Sequence, residues 1–89
     1  MAQFMVEFPH TNEQCLQELD DLSAKSPRLL SKTEWGCMAA NHTGWAVVDA
    51  KSKSDALNMI PADMRDMVKI TEVQRFTADQ IRQMHRKAA

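Results

Sequence analysis

Glu34-Trp35-Gly36-Cys37-Met38-Ala39-Ala40-Asn41-His42-Thr43-Gly44-Trp45-Ala46-Val47-Val48-Asp49-Ala50 is the stretch whose reading decides the fold. It reads as two strands joined by the turn Ala40-Asn41-His42-Thr43-Gly44. Asn41 and Gly44 tolerate positive φ, and a glycine within a loop of three to five residues is a hairpin signal. The expectation is therefore a β-hairpin in mid-chain, with other elements on either side.

Toward the N-terminus, Phe4-Met5-Val6-Glu7-Phe8 alternates with period two and reads as a strand stopped by Pro9. Thr11-Asn12-Glu13-Gln14 matches a capping box, with Thr11 as N-cap. Cys15, Leu16, Leu19 and Leu22 follow as the apolar stripe of a helix, with Glu13, Gln17, Asp20 and Asp21 toward solvent. Pro27 disfavours helical geometry before it, so this helix should end near Ser26. Arg28 to Lys32 reads as a connector whose Leu29 and Leu30 cover the edge of the core.

Toward the C-terminus, Ser52 caps a second helix, and Asp55 in its first turn suits the helix dipole. Ala56, Leu57 and Ile60 are its apolar stripe, and Pro61 limits it. Pro61 to Met67 is an irregular or short helical connection. Val68 to Val73 is a fourth strand, with a bulge expected where Val73 and Phe76 break alternation. Thr77-Ala78-Asp79-Gln80 repeats the capping-box pattern and opens a C-terminal helix over about 77–86.

The order β-α-β-β-α-β followed by a helix is the split βαβ, or ferredoxin-like, arrangement. It predicts an α+β domain over residues 1–89, with an antiparallel sheet of order 4-1-3-2 and both main helices on one face. Met5, Glu7, Trp45, Val47 and Asp49 then lie on the open face, with Ala46, Val48 and Ala50 under the helices. For the second strand, alternation leaves two assignments: Trp35, Cys37 and Ala39 on the open face, or Gly36 and Met38. An open face bearing Trp, Val and Met is unusually apolar for a monomer, so a homodimer through this face is expected.

Composition sets outer bounds. The 89 residues are 44% apolar and 26% charged, ordinary values for one globular domain. A net charge of −1 gives no bias toward nucleic acid or acidic membranes. No apolar run approaches a membrane span, and the N-terminus lacks the basic and apolar regions of a signal peptide, so a cytoplasmic protein is expected. Cys15 and Cys37 have no metal-type spacing, are too few for a disulfide scaffold, and read as buried free thiols. Arg82, His85, Arg86 and Lys87 read as a solvated basic helix end that complements the dipole.

Phe4 to Phe8, the hairpin with Trp35-Gly36-Cys37 and His42-Thr43-Gly44-Trp45-Ala46-Val47-Val48, the helix Ser54-Asp55-Ala56-Leu57 and the closing Val73-Gln74-Arg75-Phe76-Thr77 resemble small stand-alone members of the dimeric α/β-barrel superfamily. The resemblance covers nearly the whole chain, through patterns rather than signatures. It implies two open sheets meeting to enclose a barrel, with ligands bound between sheet and helices or within the barrel. The superfamily includes isomerases, cofactor-free monooxygenases, ligand-binding domains and metal-binding proteins, so the fold leaves function open.

Two residue groups carry candidate chemistry. In the split βαβ arrangement, His10 after the first strand and His42 in the hairpin share one rim of the sheet. They are candidates for acid–base catalysis, or for binding zinc, nickel or copper with an oxygen ligand from Glu7, Glu34 or Asp66. On the open face, Glu7 as a base with Met5, Trp45, Asp49 and Lys69 as ligand-binding groups would line a cavity at the dimer interface. The plainer alternative pairs Glu7 with Lys69 or Arg75 across strands. The leading expectation is a homodimer binding a small molecule, as a cofactor-independent isomerase or monooxygenase. A divalent transition-metal protein using His10 and His42, and a structural association module, are the alternatives.

Overall fold

The computed structural model describes residues 1–88; Ala89, included in the expected domain, lies outside the described residues. Four strands form one antiparallel sheet: β1 (Ala2–Pro9), β2 (Glu34–Trp35), β3 (Thr43–Ala50) and β4 (Lys69–Val73). The sheet order is β2-β3-β1-β4, which is 4-1-3-2 read from the other edge. The helices are α1 (Cys15–Lys25), α2 (Pro27–Lys32), α3 (Lys53–Asn58) and α4 (Ala78–Ala88), with short 3₁₀ turns at Cys37–Ala39 and Ala62–Met64. The protein is thus an α+β domain.

One face of the sheet is the core. Phe4, Val6 and Phe8 of β1, Ala46, Val48 and Ala50 of β3, and Ile70 of β4 are buried against Leu22 of α1, Leu29 of α2 and Ala56 of α3. This follows from the period-two alternation of the strands. The opposite face carries Met5, Glu7, Trp45, Val47 and Asp49, half-buried or exposed. Strand pairing is continuous from Gln3 opposite Val73 to Glu7 opposite Lys69, so the expected bulge in β4 is absent from this register. Phe76 lies beyond the strand and is exposed.

Both reciprocal bond pairs of the expected capping boxes form, but α1 begins at Cys15 with Gln14 as its N-cap, so Thr11 stands in the turn before the helix and not at its N-cap. Thr11 Oγ1 accepts from Gln14 N while Gln14 Oε1 accepts from Thr11 N, and Thr77 and Gln80 do the same before α4. Ser52 Oγ accepts from Asp55 N at the start of α3. Pro27 occupies the first turn of α2, where its fixed φ suits a helix start. The connector expected over Arg28 to Lys32 is therefore a short helix. Among the described residues, no helix is long and apolar enough to cross a membrane.

Two expectations need correction. Leu16, assigned to the inner stripe of α1, is 74% exposed, whereas Glu18 is 4% exposed. Counting from Cys15, the inward positions at helical spacing are 15, 18, 19 and 22, and Leu16 falls about 100° away. The second strand is also shorter than expected. It ends at Trp35, and Gly36 to His42 forms a wound loop rather than a strand and tight turn. Gly36 O accepts from both Ala39 N (2.9 Å) and Asn41 N (3.0 Å). The positive φ falls on Ala40 (64°), not on Asn41 or Gly44. Gly44 is needed for space: a Cβ there would lie 2.7 Å from the Trp35 ring. Trp35 consequently faces the core, packed on Phe8 with ring centroids 6.1 Å apart.

Candidate metal centre

Antiparallel pairing of β1 with β3 ends at Pro9 opposite Thr43. The next residues outward are His10 and His42, which the ladder therefore brings face to face. His10 N donates to His42 O at 3.0 Å, and the two imidazoles meet edge-on with centroids 5.7 Å apart. The shared rim expected for the two histidines is present.

Two cysteines join them. The Thr11–Gln14 bonds close the turn that leads into α1, whose first residue is Cys15, five positions after His10. The wound loop sets Cys37 on its 3₁₀ turn, five positions before His42. One ligand atom from each of His10, Cys15, Cys37 and His42 lies within 4.8 Å of all the others. The reading of Cys15 and Cys37 as plain buried thiols is thereby corrected: both are half-buried, and both belong to this cluster. No spacing between the cysteines themselves could show this. The available signal was the mirrored pair His-x4-Cys and Cys-x4-His.

Hydrogen bonds set the orientation of each group. The Phe8 carbonyl lies 3.1 Å from His10 Nδ1 and can only accept, so Nδ1 carries the proton and Nε2 presents a lone pair. That Nε2 is 3.3 Å from Cys37 Sγ, and the Cys15 thiol donates to Cys37 Sγ at 3.2 Å. Trp35 covers His10 with ring centroids 5.8 Å apart. His42 Nδ1 is buried with no hydrogen-bond partner among the described residues.

Glu18, one helical turn beyond Cys15, is the residue that sequence reasoning missed. Its Oε2 is 3.1 Å from His10 Nδ1, yet neither carboxylate oxygen has a hydrogen-bond partner among the described residues. Burial pushes the Glu18 carboxyl above its ordinary range, opposed by the nearby His10. The Cys15 thiol is raised by its hydrogen bond to Cys37, by burial, and by the negative charges of Cys37 and Glu18.

The other candidates lie elsewhere. Glu7, Glu34 and Asp66 are not members of the His/Cys cluster. Met5 and Trp45 line a groove of about 400 Å³ on the open face with Lys32, Glu34, Ala46 and Val47. Asp49 lines a different depression, beside Gln3, Glu72 and Arg75. Glu7 stands opposite Lys69 on the neighbouring strand.

Comparison of the chain with protein families, curated proteins and solved structures finds no match.

Four ligands around zinc, with Zn–S of about 2.3 Å and Zn–N of about 2.0–2.1 Å, stand roughly 3.3–3.8 Å apart along the edges of a tetrahedron. The sulfur–sulfur and nitrogen–sulfur separations of 3.2 and 3.3 Å are slightly shorter than those edges. The four atoms, all within 4.8 Å of one another, could hold a cation after local adjustment of the side chains. Two soft thiolates and two imidazoles suit zinc or copper, and not the hard oxygen-seeking cations. Glu18, with Oε2 3.1 Å from His10 Nδ1, would then stand beyond the ligands, where a carboxylate favours the tautomer that leaves Nε2 free to coordinate.

Proposed function

We propose that this chain is a metal-binding protein that holds a zinc-class transition-metal ion through His10, Cys15, Cys37 and His42. The observation that carries this reading is the convergence of four ligand atoms within 4.8 Å, from residues spread between positions 10 and 42. Four protein ligands leave no open position for a substrate, unlike a catalytic zinc with three. The reading is therefore metal binding or sensing rather than hydrolysis. Free thiols suit a reducing compartment such as the cytoplasm. Native mass spectrometry of protein purified without chelator should show one metal per chain. Cys37→Ser and His42→Ala should each lose it while far-ultraviolet circular dichroism is retained. Wild-type protein that binds zinc no better than these variants would end the proposal. Zinc at 100 times its Kd should add about 2.7 kcal/mol to stability, or roughly 10–20 °C in Tm for a domain of this size.

A second reading concerns the open face, where Val47 is 43% exposed beside half-buried Met5 and Trp45. Pairing of two such faces would give the dimeric α/β barrel and convert the Met5–Trp45 groove into an enclosed small-molecule site. There an isomerase or monooxygenase would use Glu7. Val47→Glu should then convert a dimer to a monomer in light-scattering chromatography; a wild-type monomer would remove this reading. Acid–base catalysis by His10 or His42 is the less favoured use of those residues, because two sulfurs stand among the imidazoles.

A further inference from the structure

Cys15 and Cys37 have a second chemistry open to them, one that uses the cluster but needs no metal. Their sulfurs are 3.2 Å apart, so a movement of about 1 Å reaches the ~2.05 Å of a disulfide. The two environments differ. Cys37 Sγ touches His10 Nε2, whereas Cys15 Sγ touches Cys37. His10 is in turn held from its far side by the Phe8 carbonyl and flanked by the carboxylate of Glu18. A thiol against an imidazole that is itself oriented by a third group is the arrangement of an activated sulfur nucleophile. A second thiol within van der Waals reach is what a resolving cysteine requires.

We propose that Cys37 and Cys15 form a peroxide-reducing thiol pair, with Cys37 attacking and Cys15 resolving. In the first step Cys37 sulfur attacks one oxygen of a hydroperoxide. The S–O bond forms, the O–O bond breaks, and the thiol proton passes through His10 Nε2 to the leaving oxygen. Cys37 becomes a sulfenic acid, oxidised by two electrons, and the peroxide leaves as an alcohol or as water. In the second step Cys15 sulfur attacks Cys37 sulfur. The S–S bond forms, the S–O bond breaks, and the departing hydroxide takes the Cys15 proton to give water. Two equivalents of a small thiol return the pair to the reduced state, leaving as their own disulfide. The disulfide has no thiolate to offer a cation, so the oxidised and metal-bound states exclude each other.

The test uses the full chain stripped of metal with a chelator and treated with one equivalent of hydrogen peroxide. Intact mass should fall by two hydrogens, both free thiols should disappear, and dithiothreitol should restore them. Cys15→Ser should stop at one added oxygen on Cys37, captured by a cyclic dione that reacts with sulfenic acids. His10→Ala should slow oxidation about 100-fold, the lower end of what positioned proton transfer contributes. Retention of both thiols, separate oxygen additions on both cysteines, a disulfide joining two chains, or an unchanged rate in His10→Ala would each overturn the proposal. Because this readout is a mass change in metal-free protein, its failure is distinct from failure to bind zinc.

Discussion

Glu18 Oε2 lies 3.1 Å from His10 Nδ1, on a side chain 6% exposed whose two oxygens have no hydrogen-bond partner among the described residues. Such a carboxylate burdens the metal-free fold, because a buried charge is disfavoured unless compensated. Its raised pKa gives the sign. Stability from Glu18 is fully present below the unfolded value near 4.5 and is lost as pH rises through the higher folded value. Glu18→Gln should thus make the metal-free protein more stable at pH 7, with the difference vanishing in acid. The same change should weaken metal binding 10- to 100-fold, the usual effect of removing a carboxylate behind a histidine ligand. Denaturation at two pH values and a zinc titration check both halves; a variant less stable at pH 7 would refute the first.

Metal affinity should rise with pH. Both thiols must lose their protons to coordinate, so binding releases protons. Cys15 is held above the ordinary thiol range by Cys37, burial and Glu18, so it remains protonated throughout the neutral region. Each proton displaced gives about a tenfold gain in apparent affinity per pH unit. Competition titrations at pH 6, 7 and 8 should therefore show no plateau. Affinity independent of pH would mean that Cys15 is not a ligand.

Gly36→Ala should damage the site more than the fold. A Cβ at Gly36 would stand 2.7 Å from the backbone oxygen of Asn41 and 3.0 Å from the Trp45 ring. Asn41 O accepts from Thr43 N, and Asn41 N donates to Gly36 O, so the loop opens if that oxygen moves. Cys37 and His42 sit at opposite ends of this loop. Metal affinity should drop at least tenfold while the thermal transition remains cooperative. Unchanged affinity would show that the loop tolerates the extra carbon.

The corrected inward face of α1 separates two leucines. Leu22 is completely buried, and Leu22→Ala should cost about 2–5 kcal/mol through lost transfer energy and a residual cavity. Leu16→Ala, at 74% exposure, should change stability by less than about 0.5 kcal/mol. Urea denaturation of both variants measures the contrast directly. Equal effects would restore Leu16 to the core.

What the sequence by itself determined is what depends on neighbours along the chain. The alternation Phe4-Val6-Phe8 chose the buried face of β1, Thr77 with Gln80 and Ser52 with Asp55 marked two helix starts by local side-chain bonds, and Thr11 with Gln14 closed the turn before α1. Strand order also placed His10 and His42 on one rim. Tertiary structure alone decided the rest. Trp35 filling the space above Gly44 sent β2 inward, and the Gly36–His42 loop wound on itself because its hydrogen bonds close within the loop. That winding carried Cys37 to Cys15, 22 positions away in sequence, and the turn of α1 carried Glu18 to His10. Spacing along a chain reports which groups share an element. The mirrored spacings His-x4-Cys and Cys-x4-His hint at two pairs, but the convergence of His10, Cys15, Cys37 and His42 is set by how the segments that carry them pack.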